Sequence, residues 1–491
     1  MTAPASTASC AYAAVVDTAA HAAWPPAGGP PDPTADHPGH PGQPSHHATL
    51  DGDAPVVRWR QGVSYGALGL PLAFVALPLY VVLPNHYATQ FGIPLATLGA
   101  VLLGARLVDA VADPLIGRAA DGWLARGAAH AWWAIVLGAL VLAVGFTALF
   151  FPQVQGTASL LVWCAVTLAI TYLGYSVVTV VHQAWGARLG GNAAQRARIV
   201  AWREGLALAG VLVASVLPSL AGMPATTAAF ALVLVIGVVW LRWSPRPAPS
   251  AELAPTPATT PATTPSTAAA QHPVSMLLPF ATPAFRRLLA VYLVNGIASA
   301  VPATLVLFFI RDRLQAPTYE PLFLASYFAA GALSIPLWVR TVRWLGLERA
   351  WRAGMVLAIA VFSWAALLGT GDVAAFTVVC ALSGIALGAD LTLPPALLTG
   401  VIQSAGHSER SEGAYFGWWH FATKLNLALA AGVALPALAW FGYAPGSRTP
   451  QALMAITAGY CLLPCLLKLG AALLLHFLLI RHRLDMPCND V

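Results

Sequence analysis

Two aspartates, Asp109 and Asp113, stand four residues apart inside a run that is otherwise almost wholly apolar. On a helix that spacing puts both carboxylates on one face, within reach of a single ion. Without a cation the two repel, so one tends to hold a proton. The pair is therefore read as a site for Na⁺ or H⁺ that titrates as one unit. The alternative is a structural ion pair with Arg106 or Lys424. Pro114 follows Asp113, and a proline there frees a backbone carbonyl as an extra ligand. Lys424 sits in the middle of another apolar run, as a counter-charge for the aspartates or as a ligand for an anionic or hydroxylated substrate. His420 lies one turn earlier on the same face. Asp390 stands near Pro394-Pro395, a backbone break that is tolerated only against protein or a wet cavity. It reads as a cavity residue or as the partner of Lys424 or Arg203. Arg203 and Glu204 open a further run. His182 and Gln183 close one just before Trp185, facing either a cavity or the headgroup boundary.

Each of these groups needs a reason to be where it is, because a charge at the centre of a bilayer costs about 2.5–3.5 kcal/mol. A bilayer is the solvent the composition demands. The 491 residues are 58% hydrophobic and only 9% charged, where a soluble domain is about 25% charged. Apolar runs long enough to span, about 20 residues each, lie at 62–84, 95–117, 130–151, 157–185, 197–221 and 225–243, then at 285–310, 320–341, 349–370, 373–402, 413–442 and 452–481. The predicted fold is an all-α membrane protein of twelve transmembrane helices in two six-helix halves, as in an internally duplicated transporter. The runs are continuously apolar, without the alternation of a membrane β-barrel.

Residues 1–57 read as a disordered Pro/His-rich tail, 58–244 as the first half, 245–283 as a Pro/Thr/Ala-rich linker, 284–482 as the second half and 483–491 as a short tail. Five of the thirteen histidines fall in the first tail; low complexity explains them better than metal binding. Nineteen arginines fall on the side of the two tails and linker, against three in the opposite loops. That places both termini in the cytoplasm of a cell inner (plasma) membrane.

Several classes drop out. The net charge of +6 is spread as single arginines rather than a basic stripe, so no nucleic-acid partner is expected. The six cysteines form no Cys-x-x-Cys pair, and Cys461 and Cys465 share a helix face as packing residues. No secretory leader is read in residues 5–23, which contain Asp17 and lack a basic start. No Gly-rich phosphate loop supports ATP-driven pumping. The short loops carry no catalytic constellation, so an enzyme is not expected.

The string from Ala105 to Gly117, of the form A-R-x-x-D-A-x-x-D-P-x-x-G, resembles the glycoside–pentoside–hexuronide:cation symporters, the melibiose permease-like family of the major facilitator superfamily. Ser64-Tyr65-Gly66, Ala184 to Arg203 and Gly413 to Lys424 extend the likeness, and Gly117 to Asp121 continues it into a degenerate form of the superfamily's loop 2–3 motif. The likeness covers roughly residues 60–480 and implies the major facilitator fold. It implies that Asp109 and Asp113 are cation-binding carboxylates, that Ser176 adds a ligating hydroxyl, that Lys424 couples the cation and substrate sites, and that Arg203 is the family's helix 5 arginine. The family's sugar-binding acids are missing: those positions hold Ala73 and Thr179, and its aromatic platforms hold Gln183 and Leu391. A galactoside is thus not the expected substrate.

The expected function is H⁺- or Na⁺-coupled transport of a small polar solute, a sugar or sugar derivative among the options, by alternating access. Thr179, His182, Gln183, Arg203, Asp390 and His420 are the expected substrate contacts. The alternatives are an exporter of drugs or metabolites and a membrane sensor that kept a transporter fold. A monomer in the lipid bilayer is expected, with no cofactor beyond the coupling ion.

Overall fold

The computed structural model describes residues 58–247, 275–443 and 446–481. The predicted first tail, the middle of the predicted linker and the last ten residues lie outside the described residues.

Among the described residues every regular element is helical, and the twelve predicted runs all become helices. The first, α1, spans residues 59–91 and is made of Trp59–Gly66, Gly69–Leu77, a π turn at Pro78–Val82, and Leu83–Phe91. Pro78 and Pro84 bracket that wide turn, each withholding a backbone donor. There follow α2 (Leu95–Ala125), α3 (Ala128–Phe150) and α4 (Thr157–Ala187). The fifth and sixth, α5 (193–221) and α6 (223–240), meet without a loop. The turn is made at Gly222, whose φ of 74° is left-handed and open to glycine. After a short helix at Leu278–Ala281 comes α7 (Pro283–Arg313). Next, α8 (320–345) and α9 (347–365) join at Gly346, again with φ 74°. The last three are α10 (Val373–Ser404), α11 (Glu412–Trp440) and α12 (Pro450–Arg481).

In α2 the usual amphipathic order is reversed, as a lipid-embedded helix requires. Leu103, Leu107, Val111 and Leu115 form an exposed stripe at a spacing of four, whereas Asp109, Asp113 and Asp121 are buried. The acidic face meets α11 of the other half through glycines. A Cβ at Gly117 would fall 2.2 Å from the Gly413 carbonyl oxygen, and one at Gly417 would fall 2.6 Å from that of Asp113. Small residues four apart let two backbones touch, the usual way to pack helices where no hydrophobic force acts between them.

The arginine-rich end of this contact is sealed by buried charge. Asp121 accepts hydrogen bonds from the backbone N–H groups of Gly413 (2.7 Å) and Ala414 (2.8 Å), capping the start of α11 where the helix dipole is positive. Arg188, at the end of α4, donates to Glu412 at 3.0 Å and lies 3.9 Å from Asp121. Nearby, Arg196 of α5 donates to Gln403 of α10. The two halves are thus latched at this end.

The glycine contact makes a direct prediction. Gly417→Leu should lower the thermal midpoint in detergent, by about 1–3 kcal/mol of overpacking. Gly122→Ala, at a position with no neighbour within 4 Å, should leave it unchanged or slightly higher.

Candidate functional site

Four residues from three helices converge where α2 meets α11. Asp109 and Asp113 come from the buried face of α2, Ser176 from α4 and Lys424 from α11. The Lys424 ammonium lies 2.7 Å from an oxygen of Asp109 and 2.7 Å from Oδ2 of Asp113, and it donates to Oδ1 of Asp113 at 2.9 Å. Ser176 donates to Asp109 at 2.8 Å and accepts from Lys424 at 3.0 Å. The side chain of Asp113 is fully buried, that of Asp109 is 6% exposed and that of Lys424 16%. The cluster holds two acidic groups against one basic group in a low-dielectric place. With both carboxylates ionised it carries one negative charge in excess, which one proton or one monovalent cation would neutralise. Among the described residues no group of three or more His, Cys, Asp or Glu is placed to hold a metal ion. The oxygen donors here are two carboxylates and a hydroxyl.

Around this core lie other expected contacts. His420 is one turn before Lys424, and its Nε2 has no hydrogen-bond partner among the described residues. Arg203 is nearly buried and pairs through Nε with its neighbour Glu204 at 2.9 Å. Thr179, one turn after Ser176, donates to the Tyr175 carbonyl of its own helix at 2.8 Å. Gln183 lines a small space with Tyr65, Arg196, Arg203 and Phe416, and its carbonyl oxygen is buried without a partner among the described residues. Sequence reasoning missed Tyr292 and Trp419, whose rings stack at 3.8 Å, and the 2.7 Å bond between the hydroxyls of Tyr292 and Thr423. They lie on α7 and α11, and only the packing of those helices brings them together.

Two expected contacts lie elsewhere. His182 is fully buried between α1 and α4: its Nε2 bonds the Tyr65 carbonyl at 2.9 Å, and its ring lies 4.4 Å from that of Tyr65. Its Nδ1 has no hydrogen-bond partner among the described residues. Asp390 pairs with neither Lys424 nor Arg203 but with Lys468 of α12, at 2.8 Å. Its oxygens also accept from Asn295 (3.1 Å), Ser299 (3.0 Å) and Trp351 (3.0 Å), so the carboxylate is saturated within the second half. The sequence left α12's rotation undetermined, and that rotation turns Lys468 inward. Asp390 does line a cavity as expected, one of about 160 Å³ walled by Tyr327, Phe362 and Tyr460.

A family model described as MFS/sugar transport protein matches residues 64–482. The chain belongs to that family. It is a multi-pass membrane transporter of the major facilitator type, not an enzyme. Over 440 residues it is 22% identical to the uncharacterized symporter YjmB of Bacillus subtilis, covering 85% of this chain and 91% of that one. It is 28% identical to the inner membrane symporter YicJ of Escherichia coli over 161 residues, a third of either chain: 33% of this one and 34% of YicJ. A similar stretch, 27% identical over 157 residues, matches the putative glycoside/cation symporter YagG of the same organism, covering 31% of this chain and 33% of that one. Among solved structures, the MFS transporter FucP in its outward conformation superposes with a TM-score of 0.60 at 13% identity, covering 85% of this chain and 98% of that one. A bacterial homologue of ferroportin in its outward-facing state gives 0.59 at 16%, covering 86% and 99%.

The cluster predicts a non-additive pair. Lys424→Met strands two buried carboxylates and should cost about 3 kcal/mol of stability. Adding Asp113→Asn to that variant should recover at least half of the loss, read as thermal midpoints of the single and double variants.

Proposed function

We propose that this transporter is a symporter that couples the movement of a small polar solute to that of H⁺ or Na⁺. One observation carries the proposal: the Lys424 ammonium occupies the point between Asp109 and Asp113 that a coupling cation would take, at the contact between the two halves. A proton on Asp113, or Na⁺ held by the oxygens of Asp109, Asp113 and Ser176, neutralises the excess negative charge and releases Lys424. The freed ammonium then serves the solute, beside His420 and the Arg203–Glu204 pair. Cation and solute thereby raise each other's affinity, as linkage requires. When both have bound, the halves rock and the latch at Asp121, Arg188 and Glu412 opens.

Within this reading Thr179, Gln183, Arg203 and His420 contact the solute, with Glu204, Tyr292 and Trp419 added to them. His182 and Asp390 hold structure instead. A sugar or sugar derivative suits the hydroxyl, amide and guanidinium groups and the stacked rings. The name of YagG, a putative glycoside/cation symporter to which about a third of the chain is similar, points the same way. The arginine-rich, latched end faces the cytoplasm, by the excess of basic residues there. Both termini are then cytoplasmic, and the protein works as a monomer in the inner membrane.

A thermal-shift panel of sugars, sugar acids, amino acids and small carboxylates, with and without Na⁺ and at two pH values, identifies solute and cation together. The Asp113→Asn protein should insert normally yet lose cation-dependent uptake in proteoliposomes by at least about tenfold, or about 1.4 kcal/mol. Accumulation driven by the cation gradient at the wild-type level in that variant would refute the assignment.

A further inference from the structure

On the flank of the molecule, α5 of the first half and α8 of the second form an open groove of about 530 Å³. Its walls are one helical stripe from each: Arg198, Ala201, Trp202, Gly205 and Leu206 on α5, then Ala332, Ile335, Pro336, Val339, Arg340 and Arg343 on α8. The order along both stripes is the same. Arginine stands at the latched, arginine-rich end, and only apolar residues and glycine follow toward the middle of the bundle. At 1.5 Å per residue the α5 stripe runs about 12 Å and the α8 stripe about 16 Å. Arg198 is half-buried and Arg340 and Arg343 are exposed, and none of the three pairs with an acidic side chain among the described residues. Three unpaired guanidinium groups above an apolar slot fit an amphiphile with an anionic head. Arginine suits a phosphate because its planar fork donates two parallel bonds to it.

We propose that this groove binds an anionic phospholipid, with the phosphate held by Arg198, Arg340 and Arg343 and an acyl chain lying along Trp202, Leu206, Ile335 and Val339. One wall belongs to each half, so the bound lipid bridges the halves, and its affinity depends on their relative position. The site is separate from the ion cluster and stands whether or not the chain is a symporter.

The test uses the full-length protein in detergent, titrated with dioleoylphosphatidylglycerol or dioleoylphosphatidylcholine and read by native mass spectrometry. Phosphatidylglycerol should be retained in preference to phosphatidylcholine. The variant R198Q/R340Q/R343Q should bind phosphatidylglycerol about a hundredfold more weakly, at about fivefold for each arginine removed. R118Q/R126Q/R287Q removes three arginines from the same end but outside the groove, and should change affinity far less. Should the triple variant fail to fold, R340Q and R343Q alter exposed residues one at a time and should each show the fivefold loss. Inorganic phosphate at millimolar concentration should not displace the lipid. Equal losses in the two triple variants, no loss in either single variant, or displacement by phosphate alone would overturn the proposal.

Discussion

One lysine ammonium set between two buried carboxylates is the constraint that orders this molecule. Lys424 comes from the second half, and Asp109 and Asp113 from the first. Their charges are affordable inside a bilayer only together, so the halves must meet closely enough for the lysine to reach. That closeness is what Gly117, Gly413 and Gly417 allow. The reversed amphipathicity of α2 follows from the same demand, since its apolar stripe must face lipid if its acidic face is to meet α11.

A second buried ion pair makes an instructive contrast. Asp390 and Lys468 are as close as the members of the first cluster, and their hydrogen bonds are more complete. All of the partners, however, belong to the second half. A rigid-body motion of one half against the other carries that pair along unchanged, whereas it pulls directly on Lys424. The same chemistry lies within one half in one place and across the contact between halves in the other, and only the second is strained by such a motion.

The twelve helices were legible because a bilayer forces a simple pattern: continuous apolar runs broken by glycine, proline and charge. The ion cluster was legible too, since Asp109 and Asp113 lie on one helix where spacing fixes their common face, and since few other charges in the apolar runs could partner them. Asp390 shows the limit. Its partner depends on how α12 is rotated against α10, and nothing within either segment states that angle. His182 shows a related limit. A polar residue near a helix end reads alike whether it faces a cavity or bonds a neighbouring backbone, and the Tyr65 carbonyl that takes its Nε2 lies 117 residues away in sequence. Tyr292 and Trp419 were invisible as a pair because stacking is a property of two helices.

The glycine contact between α2 and α11 has a kinetic side as well. Where leucines or phenylalanines mesh between helices, separation means withdrawing each knob from its socket, with a barrier at every step. Backbone laid on backbone offers nothing to withdraw. Once the electrostatic ties at its two ends are cut, such a seam can peel with little friction between the helices.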